Sequence, residues 1–181
     1  MQHRCLVTVI DKKCYSDLQT KYLADPKSGP CPFYEVGAQY VFYRYADEDT
    51  FWTQGKGSQC SEAWDCISRY IYTALQGGSI MRNWTNDERL MIACCNDGTR
   101  PVIFKIERQD YHVVIFSSPL TEEIVAQLKA DLANLSIIEN IIYRLEKQWI
   151  EIYPVKDHLI DPKFIREIFQ NLDYVQVEKI D

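Results

Sequence analysis

Nowhere in these 181 residues is there an apolar run long enough to cross a bilayer as a helix; the most hydrophobic stretch, IIENIIYRL, is interrupted by Glu139 and Asn140. Clusters of Lys and Arg are missing as well. This argues against nucleic-acid binding, because phosphate recognition depends on grouped cations, and attraction to anionic membranes is disfavoured on the same ground. The first residues, MQHRCLVTVIDKKC, hold one short apolar stretch broken by charge and no small-residue cleavage site, so a cytoplasmic location is expected. No GxxxxGK[ST], Rossmann glycine pattern, GxSxG or HExxH occurs, and the GKG around Lys56 is too short to count. The chain also lacks CxxC and HxxxH pairs, and it has no cysteine after residue 95.

What is present is distributed unevenly. Residues 1–109 carry 13 Lys and Arg against 13 Asp and Glu, while residues 110–181 carry 7 against 13, so the whole net charge of -6 belongs to the second part. All seven cysteines (Cys5, Cys14, Cys31, Cys60, Cys66, Cys94, Cys95) lie in the first part. An odd number without an export signal points to thiols, metal ligands or core residues rather than to a disulfide framework. With 46% apolar residues the chain can build a real core, and disorder is not expected.

The second part reads cleanly. YHVVIFSS has strand character, and LTEEIVAQLKADLANL is helical, with Ile124, Leu128 and Leu135 on one stripe, Val125 and Leu132 beside it, and Thr121 or the Ser117–Pro119 turn at its start. IENIIYRLE and QWIEIYPV form a hairpin turning near Glu146 and Lys147. Asp161 caps a helix that opens on Pro162, and YVQVEKI is a last strand. The order βαββαβ is that of a ferredoxin-like domain.

The first part is a mixed α+β unit. CLVTVID predicts a strand with Cys5, Val7 and Val9 on one face, YSDLQTKYLA a short helix and QYVFYRYAD a second strand. SEAWDCISRYIYTALQGG predicts a helix whose buried stripe is Ala63, Cys66, Ile67, Tyr70, Ile71 and Ala74, ended by Gly77 and Gly78. LMIACC, the turn NDGT and PVIFKIER follow as strand, turn and strand. The expected fold class is thus α+β: a cysteine-containing domain over 1–109, a short linker near Gln109, and a ferredoxin-like domain over 110–181.

Three cysteines stand out for chemistry. Cys60 lies at a helix entrance, where unpaired N–H groups favour a thiolate; the plainer alternative is a small capping residue. Cys31, between Pro30 and Pro32, sits in a stiff loop that presents its sulfur at a fixed point, or fills a hole. Cys94 and Cys95 adjoin in a strand and so face opposite ways. Cys95, next to the turn, is assigned to the site and Cys94 to the core, and a bond between the two is the remote option. Cys5 and Cys66 are assigned to packing.

Cys31, Cys60 and Cys95 together form a candidate thiol cluster or ligand set for zinc, copper or an iron–sulfur cluster, though without the close pairs that nucleate such sites. His3, His112 and His158 are scattered and read as ordinary residues. Arg100 and Trp64 either line a pocket for an anionic or aromatic ligand or serve as an ion pair and a packed ring. Asp97, with Gly98, is most simply a turn residue.

The motifs GPCPFYEVG (Gly29–Gly37), CSEAWDCI followed by LQGG (Cys60–Gly78), Trp84, and IACCNDGTRPVIFKIER (Ile92–Arg108) resemble a family of small cysteine-containing bacterial and archaeal proteins to which no activity is assigned. The resemblance covers most of residues 1–109 and none of 110–181. It implies a cysteine-centred site involving Cys31, Cys60, Cys94 or Cys95, Trp64, Asp97, Gly98 and Arg100. The second part has the element order of heavy-metal-transport domains but carries Ser117, Ser118 and Pro119 where those place CxxC, so metal shuttling is not expected there. By analogy of fold alone, an acidic module of this kind serves dimerisation or docking of a protein partner.

Two functions from different classes follow. One is redox or metal-dependent chemistry on a small molecule at Cys31, Cys60 and Cys95. The other is a non-catalytic interaction or homodimerisation module whose cysteines are core packing.

Overall fold

Alternation of inward and outward side chains makes the first strand, β1 (Gln2–Lys12): Cys5, Val7 and Val9 are completely buried, and their neighbours are not. The computed structural model describes residues 1–44, 60–156 and 158–181. The chain divides into two compact units, residues 3–109 and residues 110–181 with residues 1–2. Helices and antiparallel strands make the whole α+β.

In the first unit β1 pairs with β2 (Gln39–Tyr43), with Cys5 opposite Phe42 and Val7 opposite Tyr40, so four buried side chains share one face. The short helix α1 (Ser16–Tyr22) lies between them in sequence. Helix α2 (Ser61–Leu75) buries Ala63, Ile67, Ile71 and Ala74, a period-3.6 stripe that packs into the same core as Val102, Phe104 and Ile106. These last residues belong to β4 (Val102–Phe116), which pairs with β3 (Leu90–Cys94) and also neighbours β1. Gly77 ends α2 at φ +76, and a Cβ there would collide with the His3 ring. Arg108 then donates from Nη1 to the carbonyls of Gly77 and Gly78, both at 2.7 Å, holding the chain where it leaves α2.

The second unit takes the rest of β4, then α3 (Glu122–Leu132), β5 (Ile138–Arg144), a single 3-10 turn (Leu145–Lys147), β6 (Trp149–Pro154), α4 (Pro162–Gln170) and β7 (Val177–Ile180). Its strands run in the order β7-β4-β6-β5. Val114, Phe116, Ile150 and Ile152 from the sheet meet Val125, Leu128, Ile165 and Phe169 from the helices in one core. Both helix starts follow from sequence chemistry: the Thr121 side chain accepts from the Ile124 N–H at 3.3 Å, and the Asp161 carboxylate accepts from the Lys163 N–H at 2.8 Å, with Pro162 just inside.

Three expectations need correction. No linker occurs near Gln109, because β4 runs unbroken from Val102 to Phe116; both segments are β-branched and apolar, and no glycine or proline interrupts them. Cys66 and Tyr70, expected on the buried stripe of α2, are only partly buried, since both lie along one edge of the stripe set by Ala63, Ile67, Ile71 and Ala74. Of QYVFYRYAD, the residues from Gln39 to Tyr43 are strand and Arg44 is a turn, while 45–47 lie outside the described residues, as does Lys56. Among the described residues no helix is long and apolar enough to cross a membrane.

Candidate functional site

The loop that carries Cys31 is anchored before the cysteine is reached. Gly29 turns at φ +71, and the buried Gln19 of α1 grips it from both sides, donating to its carbonyl at 2.9 Å and accepting from its N–H at 3.1 Å. Cys31 follows between its two prolines with its side chain buried in the core of the first unit. Three residues on, Tyr34 packs edge-on against Phe104 at 5.2 Å and Tyr40 at 6.1 Å. Its phenol is hydrogen-bonded to the backbone of Cys60. Burial above all, then the neighbouring Cys60, Tyr40 and Cys31, holds Tyr34 protonated far above the usual tyrosine range.

Cys60 is the N-cap of α2: its backbone is extended, its carbonyl accepts from the Trp64 N–H at 3.0 Å, and its thiol makes no capping hydrogen bond. It is half-buried against the core that contains Cys31 and Cys95. Trp64, one turn into the helix, stacks on Phe42 with centroids 6.1 Å apart and meets Tyr72 edge-on. Its ring is a packing surface over the sheet.

The assignment of the paired cysteines needs revising in part. Met91 and Ala93 point inward, so the alternation turns Cys94 outward, and Cys94 is exposed where core burial was expected. Cys95 continues the inward set; it is buried, and its sulfur accepts from the Val102 N–H at 3.3 Å. Burial, with Cys95 beside it, pushes the Cys94 thiol above its ordinary value.

Cys66 adds a thiol that packing alone does not explain. It donates to Asn96 Oδ1 at 2.8 Å, and Asn96 in turn donates from Nδ2 to Asp65 at 2.9 Å and from its backbone to the Glu62 carbonyl at 3.3 Å. The first turns of α2 are thus laced to the residue after Cys95. Burial, then Asp65, Cys95 and Cys94, raises the Cys66 pKa, with Arg69 acting the other way.

Asp97 and Arg100 are occupied with each other. Asp97 accepts from the backbone and hydroxyl of Thr99, both at 2.9 Å, and pairs with Arg100 Nε at 2.8 Å. Burial raises the Asp97 pKa, but these bonds outweigh it and hold the carboxylate below its ordinary range. The same pair keeps Arg100 above its usual value, and Cys31 and Cys14 contribute in that direction.

All seven cysteines are thiols: Cys5, Cys31 and Cys95 buried, Cys60 and Cys66 intermediate, Cys14 and Cys94 exposed. Among the described residues no three His, Cys, Asp or Glu side chains are placed to hold a metal ion, and Cys31, Cys60 and Cys95 do not make such a set. Of the three histidines, His112 is buried in the second unit, His158 is exposed, and His3 lies beneath the end of α2. Residues that sequence reasoning passed over are Gln19, Tyr34 and Asn96. Asn96 stood next to the cysteine pair, but nothing in the spacing showed its link to α2. Compared with known proteins, the chain matches no family model, no curated protein and no solved structure.

Proposed function

We propose that residues 1–109 form a thiol module in which Cys60 is the solvent-facing sulfur and Cys31 and Cys95 back it from the core, working in redox chemistry on a small molecule. The observation that carries this reading is the placement of Cys60: half-exposed at the entrance of a 15-residue helix, uncommitted to capping, and packed against the core that holds the other two. If the cysteines served packing alone, all seven would be buried as Cys5 is, yet four are at least partly accessible. The resemblance of this unit to the small cysteine-containing family belongs to the same proposal, as does a cytoplasmic, reducing location. Differential alkylation of the folded protein at neutral pH tests it. Cys60 should label first and Cys60→Ser should abolish that fast phase; uniformly slow labelling of Cys60 overturns the reading.

A second reading is favoured by two particular contacts. Cys95 is buried and accepts a backbone hydrogen bond, and Cys31 is buried behind its prolines, both as core residues behave. On this reading the chain is a non-catalytic module, and residues 110–181 are a ferredoxin-like partner-docking or homodimerising domain that takes up neither nucleic acid nor membrane. The sheet order β7-β4-β6-β5, with α3 and α4 supplying the core, supports the ferredoxin-like assignment. The acidic balance of 110–181 supports a protein partner over a nucleic acid. Light scattering across a concentration series separates the two readings: a stable dimer without a fast thiol favours the second.

A further inference from the structure

We infer that Cys66 and Cys95 are a dithiol couple that closes to an intrachain disulfide when the protein meets a peroxide. The two sulfurs belong to facing elements. Cys66 lies at the margin of the buried stripe of α2, and Cys95 continues the inward set of β3, with both packed into one core. Asn96 links these places, receiving the Cys66 thiol at 2.8 Å and donating its own backbone N–H to Glu62 one turn earlier in α2. Helix and strand end are therefore tied within a residue of each sulfur. Cys95 rather than Cys94 is the partner in this inference, because Cys95 lies on the inward side with the α2 stripe while Cys94 is turned outward and exposed.

The chemistry balances with a hydroperoxide as the two-electron oxidant. A Cys66 thiolate attacks one peroxide oxygen, the O–O bond breaks, and hydroxide leaves, giving a sulfenic acid on Cys66. The Cys95 sulfur attacks that sulfur, the S–O bond breaks, and the oxygen leaves as water with the Cys95 proton. Two thiols and one hydrogen peroxide thus become one disulfide and two waters. The Cys66 hydrogen bond to Asn96 is lost in the process, so the oxidised state exchanges a polar tie between α2 and the β3–β4 turn for a covalent one. Because burial, Asp65 and the neighbouring thiols keep Cys66 protonated, the first step is slow at neutral pH and accelerates as pH rises toward the thiol range, about tenfold per unit.

This couple shares Cys95 with the proposed Cys60 module but does not involve Cys60 itself, and one experiment keeps the two apart. The full-length protein carrying Cys60→Ser and Cys94→Ser, in which the tryptic peptides Gly57–Arg69 and Leu90–Lys105 hold one thiol each, is reduced, exposed to hydrogen peroxide and alkylated. Mass spectrometry should show the two peptides joined, with loss of the alkylation label from both, and dithiothreitol should restore both labels. Adding Cys66→Ser should abolish the joined species without changing the circular dichroism spectrum. The wild-type protein, read by tandem fragmentation, should show the same bond. Cys66 remaining alkylatable while other cysteines pair, or oxidising only to sulfinic acid, overturns the inference whatever Cys60 does.

Discussion

Gln19 and Gly29 are joined by two reciprocal hydrogen bonds, side-chain amide to backbone carbonyl and backbone N–H to side-chain oxygen, at 2.9 and 3.1 Å, with Gln19 almost completely buried. This one side chain thus supplies the partners that a β-bridge would otherwise give to the entrance of the Cys31 loop. Gln19→Ala leaves both backbone groups of Gly29 without those partners. A loss of about 2 kcal/mol in the urea unfolding free energy is expected, together with faster alkylation of Cys31. Unchanged Cys31 protection in a destabilised variant would mean that the prolines alone hold the loop.

Gly77 ends α2 in a left-handed conformation with the His3 ring where a side chain would go. Gly77→Ala adds backbone strain of about 1–2 kcal/mol to a steric clash against β1. The measured destabilisation should exceed the strain alone, and in His3→Ala/Gly77→Ala the excess should shrink toward that figure. A double-mutant cycle reads the coupling directly.

For Asp97, the hydrogen bonds from Arg100 and Thr99 outweigh burial and lower the folded pKa. The unfolded chain therefore binds the proton more readily than the folded one. The stabilisation is full above the ordinary aspartate value near 4 and is lost as pH falls through that value and then through the folded one. In urea titrations the wild-type advantage over Asp97→Asn should be present at pH 6 and narrow steadily below about pH 4. A gap independent of pH would assign the effect to shape rather than to charge.

His112 behaves with the same sign for a different reason. Burial, followed by the N-terminal ammonium, depresses its pKa, although Nδ1 lies 3.3 Å from the Asp181 carbonyl. Folding thus favours the neutral ring, and stability falls as pH drops below the unfolded histidine value of about 6.5. Between pH 7 and 5 the wild-type midpoint should decline while that of His112→Phe stays flatter. A parallel decline in both would place the titration on other groups.

The start signals of the helices were legible because they are local. Asp161 with Pro162, and Thr121 before two glutamates, each satisfy the first N–H groups of their own helix, whatever packs elsewhere. The stripe of Ala63, Ile67, Ile71 and Ala74 was legible because a helix can bury only one side. The strand alternation of Cys5, Val7 and Val9 was equally plain. The direction of Cys94 and Cys95 was not: the pair must split, but which one turns inward depends on the register of β3 against β4, where Ala93 lies opposite Phe104. A single-residue shift exchanges their fates.

Composition, element order and helix caps were determined by the sequence itself, since propensity, hydrophobic period and capping act over a few residues. The grip of Gln19 on Gly29, the lacing of Cys66 to Asn96 and the unbroken course of β4 past Gln109 were decided only by the tertiary structure. Those features depend on partners ten to thirty residues away or on which edge a strand finds to pair with. A buried polar side chain takes whatever donor or acceptor the packed neighbours bring within reach.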